Sequence, residues 1–340
     1  MSGSSSSARQ IFKELLQGKT ASRPLFVPIV FSLGARVENL SLHAFLGNPT
    51  KISNSIRQIH SRVQADGVSC YFDPSLEAEA LGGTLEWPSE QGPAIVHWPA
   101  SFESGRLAMI LNSPDESLKR GRIPVALEVI RRLKTLVGED SLLVAGVCGL
   151  FTLAAHLGRV DSIDTLTGRG VPDSALEIAA TVVAQVSKAF AEAGANLIFF
   201  REDSLSLERL EGLENWISLL TPIFNIVRFY EALPVLQIAD EHGFAANVGA
   251  LLRSAEGCVL CASPLALEHL LDESCIPASA PMGISLPTST FLEEQARNDT
   301  SSFLPRLMSD LKLALVTTTE DVPLSADFKR LAAISALVRG

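Results

Sequence analysis

The chain has 340 residues, of which 47% are hydrophobic and 19% charged, with 23 Gly, 18 Pro and 5 Cys. That is too apolar for a disordered chain, long enough to bury a large core, and unlike collagen or a disulfide-stapled secreted domain. The net charge is −10, from 28 Lys+Arg against 38 Asp+Glu, which argues against a nucleic-acid partner. The short basic groups Lys119-Arg120-Gly121-Arg122 and Arg131-Arg132 read as solvated helix faces.

The segment Met1–Ser7 is Ser/Gly-rich and reads as a disordered tail rather than a signal peptide or membrane anchor. The expected organisation is a tail over residues 1–8 and one domain over 9–340. No apolar run reaches the roughly 18 residues of a membrane helix. Five cysteines without framework spacing suggest free thiols in a reducing compartment, so the expected location is the cytoplasm. In that reading Cys258-x-x-Cys261 is a pair of buried thiols on opposite strand faces, not a metal pair.

Eight apolar runs recur along the chain: Leu25–Phe31, Gly67–Phe72, Leu142–Cys148, Asn196–Phe200, Pro234–Ala239, Gly257–Ala262, Ala280–Ser285 and Leu313–Thr318. Their apolar character is continuous, as in parallel strands buried on both faces. Helical periodicity lies between them. Pro49–Val63 opens after Asn48 with Pro at its first position. Pro124–Val137 stops at Gly138, Ser174–Ala193 stops at Gly194, and Ser325–Val338 closes the chain. Eight strand–helix units predict an α/β fold, a single (β/α)8 TIM barrel, with a doubly wound open sheet as the alternative. Gly82–Pro99 interrupts the pattern and predicts a β-hairpin excursion after strand two, over one barrel end.

A barrel places its active site at the carboxyl ends of its strands. The candidates are Ser32, Gly34 and Arg36 after strand one, Asp73 after strand two, and Gly149, Thr152 and His156 after strand three. Arg201, Glu202 and Asp203 follow strand four, and Asp240, Glu241 and His242 follow strand five. Ser263 and Pro264 follow strand six, and Thr317–Glu320 ends strand eight. A carboxylate at the mouth of an apolar strand, such as Asp73, suits an acid/base role unless it is paired, and otherwise caps the turn. Arg36 and Arg201 can fork a substrate carboxylate, or form surface ion pairs. His156 can shuttle protons, or sit as a satisfied core residue. His242 can bind substrate or belong to a polar loop.

Asp66–Asp73 with Glu79–Gly83, the segment Gly146–Leu157, and the ending Asp321-Val322-Pro323 with the helix after it resemble the uroporphyrinogen decarboxylase superfamily. The resemblance spans Phe12 to Val338. It implies one of two chemistries. The decarboxylase branch is cofactor-free and uses an acid after strand two, which Asp73 matches, together with an arginine-rich loop of which Arg36 alone is near. His156 falls where that branch has a tyrosine. The methyltransferase branch uses zinc held by a His-x-Cys in strand five and a Cys at strand eight, and works with a corrinoid partner. Here those places carry Gln237, Ala239 and Glu320.

The first expectation is therefore metal-independent decarboxylation of a small aromatic or pyrrolic carboxylate with no cofactor. Asp73, His156 and Glu320 are the catalytic candidates, and Arg36, Arg201, Thr152, His242 and Gln237 the substrate-binding ones. The alternatives are a corrinoid- or folate-linked methyltransferase with an altered zinc site, and a binding protein that has lost its chemistry. A homodimer is the assembly that the resemblance makes reasonable.

Overall fold

The structure is a computed structural model. It describes residues 6–98, 112–158, 163–164, 173–203, 205–206, 213–239, 251, 257–273 and 281–340. Eight parallel strands form one sheet: β1 (Leu25–Phe26), β2 (Gly67–Tyr71), β3 (Leu142–Cys148), β4 (Leu197–Glu202), β5 (Leu233–Ile238), β6 (Val259–Ala262), β7 (Met282–Leu286) and β8 (Leu315–Thr318). Their order around the sheet is β1-β8-β7-β6-β5-β4-β3-β2. Each strand from β2 to β8 pairs with the next in the chain, and β8 returns to β1 through Leu25 beside Leu315, which leaves β1 and β2 as the two strands at the seam. That is the ring of a TIM barrel, as the apolar runs predict. β2, β3, β6, β7 and β8 are buried at every position, which explains why their sequences show no alternation.

The first run gives only a two-residue strand. Pro28 has no N–H to donate to a ladder, and side chains complete the seam with β2 instead. Asp66 accepts from the Phe26 N–H at 2.8 Å. Ser69 Oγ donates to the Pro28 carbonyl at 2.9 Å. Arg23 grips both oxygens of Asp66, at 2.7 and 2.8 Å. The ring is thus closed by a buried carboxylate with a bidentate partner.

Helices cover the outside of the ring. Pro49–Val63 starts as expected, with Asn48 Oδ1 accepting from the Lys51 N–H. Ile123–Val137, Asp173–Ala193 and Phe328–Arg339 match the other expected helices to within a few residues. Ser7 caps a first helix, Ala8–Leu16. After β2 the chain makes the expected excursion, an antiparallel hairpin pairing Thr84–Glu86 with Ile95–His97. Its turn is tied down where the Leu42 N–H donates to the Glu90 carbonyl at 2.7 Å. Cys70, Cys148, Cys258 and Cys261 are buried. Among the described residues no helix is long and apolar enough to cross a membrane.

Candidate active site

A cavity of about 510 Å³ opens at the carboxyl ends of the strands. Its wall is built from the carboxyl end of β3, the end of β4 with the residue after it, and the loops after β1, β2 and β8, together with the hairpin. These contribute Ser32, Phe72 and Asp73, Gly146–Cys148, Arg201 and Asp203, and Glu320–Ser325, while Trp87, Gln91, Pro93 and Ala94 come from the hairpin. The excursion is therefore part of the cup.

Asp73 lines the cup with a side chain only 5% exposed. Its Oδ1 accepts from the Ser75 N–H at 3.0 Å and the Ser75 hydroxyl at 2.7 Å, a turn-capping geometry. Its Oδ2 lies 2.7 Å from Arg122 Nη1. Arg122 is buried, so its reading as part of a solvated helix face is corrected. Gly121 just before it has φ +53°, a left-handed turn that glycine adopts without a Cβ penalty.

Across the cup stands Asp321, one residue beyond the expected Glu320. Its Oδ2 accepts from the Ser32 N–H at 2.8 Å and the Ser32 hydroxyl at 2.5 Å. Its Oδ1 is buried with no hydrogen-bond partner among the described residues. Burial pushes the carboxyl up to about 6, against the opposing pull of the Ser32 hydrogen bonds and of Arg201. Arg201, one-fifth exposed, reaches Asp203 at 3.4 Å.

Two buried acids lie by the β3 segment of the cup. Glu77 accepts from the Cys148 N–H at 3.2 Å, and burial pushes it up to about 8. Glu202 accepts from the Phe151 N–H at 3.2 Å, the Thr152 N–H at 2.9 Å and the Thr152 hydroxyl at 2.9 Å, and burial raises it to about 7. It thereby satisfies first-turn N–H groups of the helix Leu150–Gly158. Burial, with these acids beside it, pushes the Cys148 thiol well up, away from thiolate reactivity. A Cβ at Gly149 would overlap the Glu202 carboxyl and the Arg201 carbonyl. Gly149→Ala is thus expected to destabilise by about 1–3 kcal/mol through overpacking. A thermal midpoint equal to that of the parent would show that the loop yields freely.

Of the residues expected from sequence, the fold brings Ser32, Asp73, Arg201, Asp203 and Glu320 to one cavity. Arg36, Thr152, His156 and Gln237 do not line it. Arg36 donates to the Leu324 and Ala326 carbonyls and lies over the Phe328 ring. Thr152 is tied to Glu202 and accepts from the Asp203 N–H at 2.8 Å. His156 has a buried Nδ1 with no partner among the described residues, and burial lowers its pKa. His242, with Asp240 and Glu241, lies outside the described residues. Sequence reasoning missed Asp321 and Arg122. For the first, the available signal was its place directly after the last strand.

The positions that the resemblance assigns to zinc ligands do not form a thiolate site. Gln237 Nε2 donates to Ser285 Oγ and to the Thr318 carbonyl, both at 2.9 Å. Ala239 offers no donor atom. Among the described residues no group of three His, Cys, Asp or Glu side chains could hold a metal. The donor set does not fit the zinc-thiol arrangement.

A family model described as uroporphyrinogen decarboxylase (URO-D) matches residues 7–210, more than half of the chain. A methylated-thiol–coenzyme M methyltransferase of Methanosarcina mazei is 32% identical over 138 residues, 40% of this chain and 36% of that protein. A methylcobamide:CoM methyltransferase of Methanosarcina acetivorans is 26% identical over 156 residues, 45% of this chain and 44% of the relative. The chain thus matches less than half the length of these relatives. A solved structure described as a methyltransferase from Methanosarcina mazei shares the fold. Its TM-score is 0.77 at 17% identity, covering 97% of this chain and 98% of that one. The relatives overturn the expectation of cofactor-free chemistry, because matched proteins are named for methylcobamide, a cobalt-bound methyl carrier.

Proposed function

The chain belongs to the uroporphyrinogen decarboxylase family, and we propose that within it the protein acts as a methyltransferase. It moves a methyl group between a cobamide-type carrier and a small nucleophile seated in the cup. The methyltransferase names of the curated relatives support this reading. The observation that carries it is Asp321, a carboxylate fixed by Ser32 on one oxygen, without a hydrogen-bond partner among the described residues on the other, and poised near 6.

A cobamide-type carrier would supply the methyl group as a cation equivalent. The acceptor must supply its own pair, so a protic acceptor has to shed one proton. Asp321 takes that proton, and Ser32 keeps its carboxylate aimed. Arg201 holds an anionic end of the acceptor by a charge-assisted hydrogen bond. Trp87 and the hairpin form one wall of the cup. Little supports decarboxylation of a pyrrole, because the Asp73 carboxylate is already held by Ser75 on one oxygen and ion-paired with Arg122 through the other.

The test is an anaerobic assay with methylcobalamin as donor and 2-mercaptoethanesulfonate or a simple alkylamine as acceptor. The expected result is protein-dependent loss of methylcobalamin absorbance with one methylated acceptor formed per methyl lost. Unchanged methylcobalamin across thiols and amines, with CO2 released from a pyrrole carboxylate, would sink the proposal.

A further inference from the structure

Behind the cup wall one side chain touches three elements that the mechanism above leaves unconnected. Arg122 Nη1 lies 2.7 Å from Asp73 Oδ2. Its Nε donates to Glu79 Oε2 at 2.8 Å, and its Nη2 donates to Ser75 Oγ at 3.0 Å. Its Cζ sits 5.6 Å from the centre of the Trp87 ring, and His43 stacks on the same indole at 5.0 Å. Asp73 and Trp87 both line the cavity. We propose that Arg122 is a positioning residue of the cup: a single guanidinium fixes the Asp73 carboxylate and the Trp87 indole relative to each other, so that the strand-two acid and the hairpin wall hold one geometry around the bound acceptor.

The chemistry requires arginine. Its planar fork presents five N–H donors in fixed directions, whereas lysine offers a point charge that can satisfy one carboxylate at a time. The flat guanidinium also stacks against the indole while its edge serves the acids. The turn at Gly121 directs it inward, and a Cβ there would press on the Glu79 carboxyl that Arg122 binds. Only the kinetic arm of the test rests on the methyltransferase reading.

Removing the cation alone leaves two acids unbalanced and invites misfolding. The variants are therefore Arg122→Lys and the double change Arg122→Gln with Glu79→Gln. Both are made in a Trp98→Phe, Trp216→Phe background, so that Trp87 is the sole fluorescent tryptophan. Acrylamide quenching of Trp87 is expected to rise at least about twofold in both, because neither lysine nor glutamine can stack and fork together. In the methylcobalamin assay the acceptor KM is expected to rise about tenfold with kcat within about twofold, since positioning of the acceptor is lost rather than the chemistry. Unchanged Trp87 quenching, or a fall in kcat with KM constant as from a smaller folded fraction, overturns the proposal. If the parent protein shows no methyl transfer, the quenching arm alone decides between these outcomes, and the functional reading fails separately.

Discussion

Glu77→Gln is expected to stabilise the protein at pH 8 by up to roughly 5 kcal/mol and to leave it nearly unchanged near pH 4. Glu77 is fully buried, accepts a hydrogen bond from the Cys148 N–H, and has a second oxygen with no hydrogen-bond partner among the described residues. Burial raises its pKa from 4.5 to about 8, and the nearby Asp73 adds in the same direction. A raised carboxyl binds its proton more tightly in the folded than in the unfolded chain. Its stability contribution is therefore complete below the unfolded value of 4.5 and is lost as pH rises through about 8. Glutamine keeps the acceptor for Cys148 and never ionises, so the gap between variant and parent should widen across that window. Glu202 makes an instructive contrast. It is raised to about 7 by the same cause, but both its oxygens receive donors. An amide there would turn its NH2 toward an N–H, and Glu202→Gln should gain little. Midpoints of thermal unfolding between pH 4 and 9 check the point. Parallel curves for the Glu77 variant and the parent would mean that the buried acid is not protonated at neutral pH.

The barrel was legible because its strands are buried on both faces. Continuous runs such as Leu142–Cys148 have no other easy reading between two periodic helices. The seam at Pro28 shortened the first strand without breaking the ring, because Asp66 and Ser69 replace the missing ladder. At the site, legibility stopped where side-chain direction decides. Arg201, Glu202 and Asp203 all follow strand four in sequence, with Arg201 the expected substrate-binding residue and the two acids its alternative ion-pair partners. Strand alternation turns Arg201 and Asp203 into the cup and Glu202 away, under the next helix. Arg122 sits in a basic stretch whose composition suggests solvent, and only the backbone turn at Gly121 sends it inside. The end of strand eight brings two neighbouring acids to the cavity, the expected Glu320 and Asp321 after it. Glu320 does line the cavity, but Asp321 is the residue that Ser32 holds, by a contact made across 289 positions of chain.

That contact carries the largest expected effect on activity. Asp321→Asn should lower methyl-transfer turnover by at least about 100-fold, the low end of what a positioned proton acceptor contributes. In the parent, kcat/KM should rise with pH through an apparent pKa near 6, where Asp321 becomes the base. The asparagine variant should lose that limb, since an amide cannot take the proton. Its stability should move the other way. The Asp321 carboxyl is raised from 3.8 to about 6, so its ionised form at pH 8 costs the fold roughly 3 kcal/mol, a cost the amide avoids. Asparagine also retains an oxygen for the Ser32 hydroxyl and N–H. A slower and yet more stable enzyme is what results when a charge is held in an enclosed site for chemistry rather than for folding. A residue that serves only to tie the loop after β8 to Ser32 would give the opposite pair, a lower unfolding temperature with turnover per folded molecule intact. Measuring both quantities on one preparation distinguishes them, and the second pattern would remove Asp321 from the mechanism.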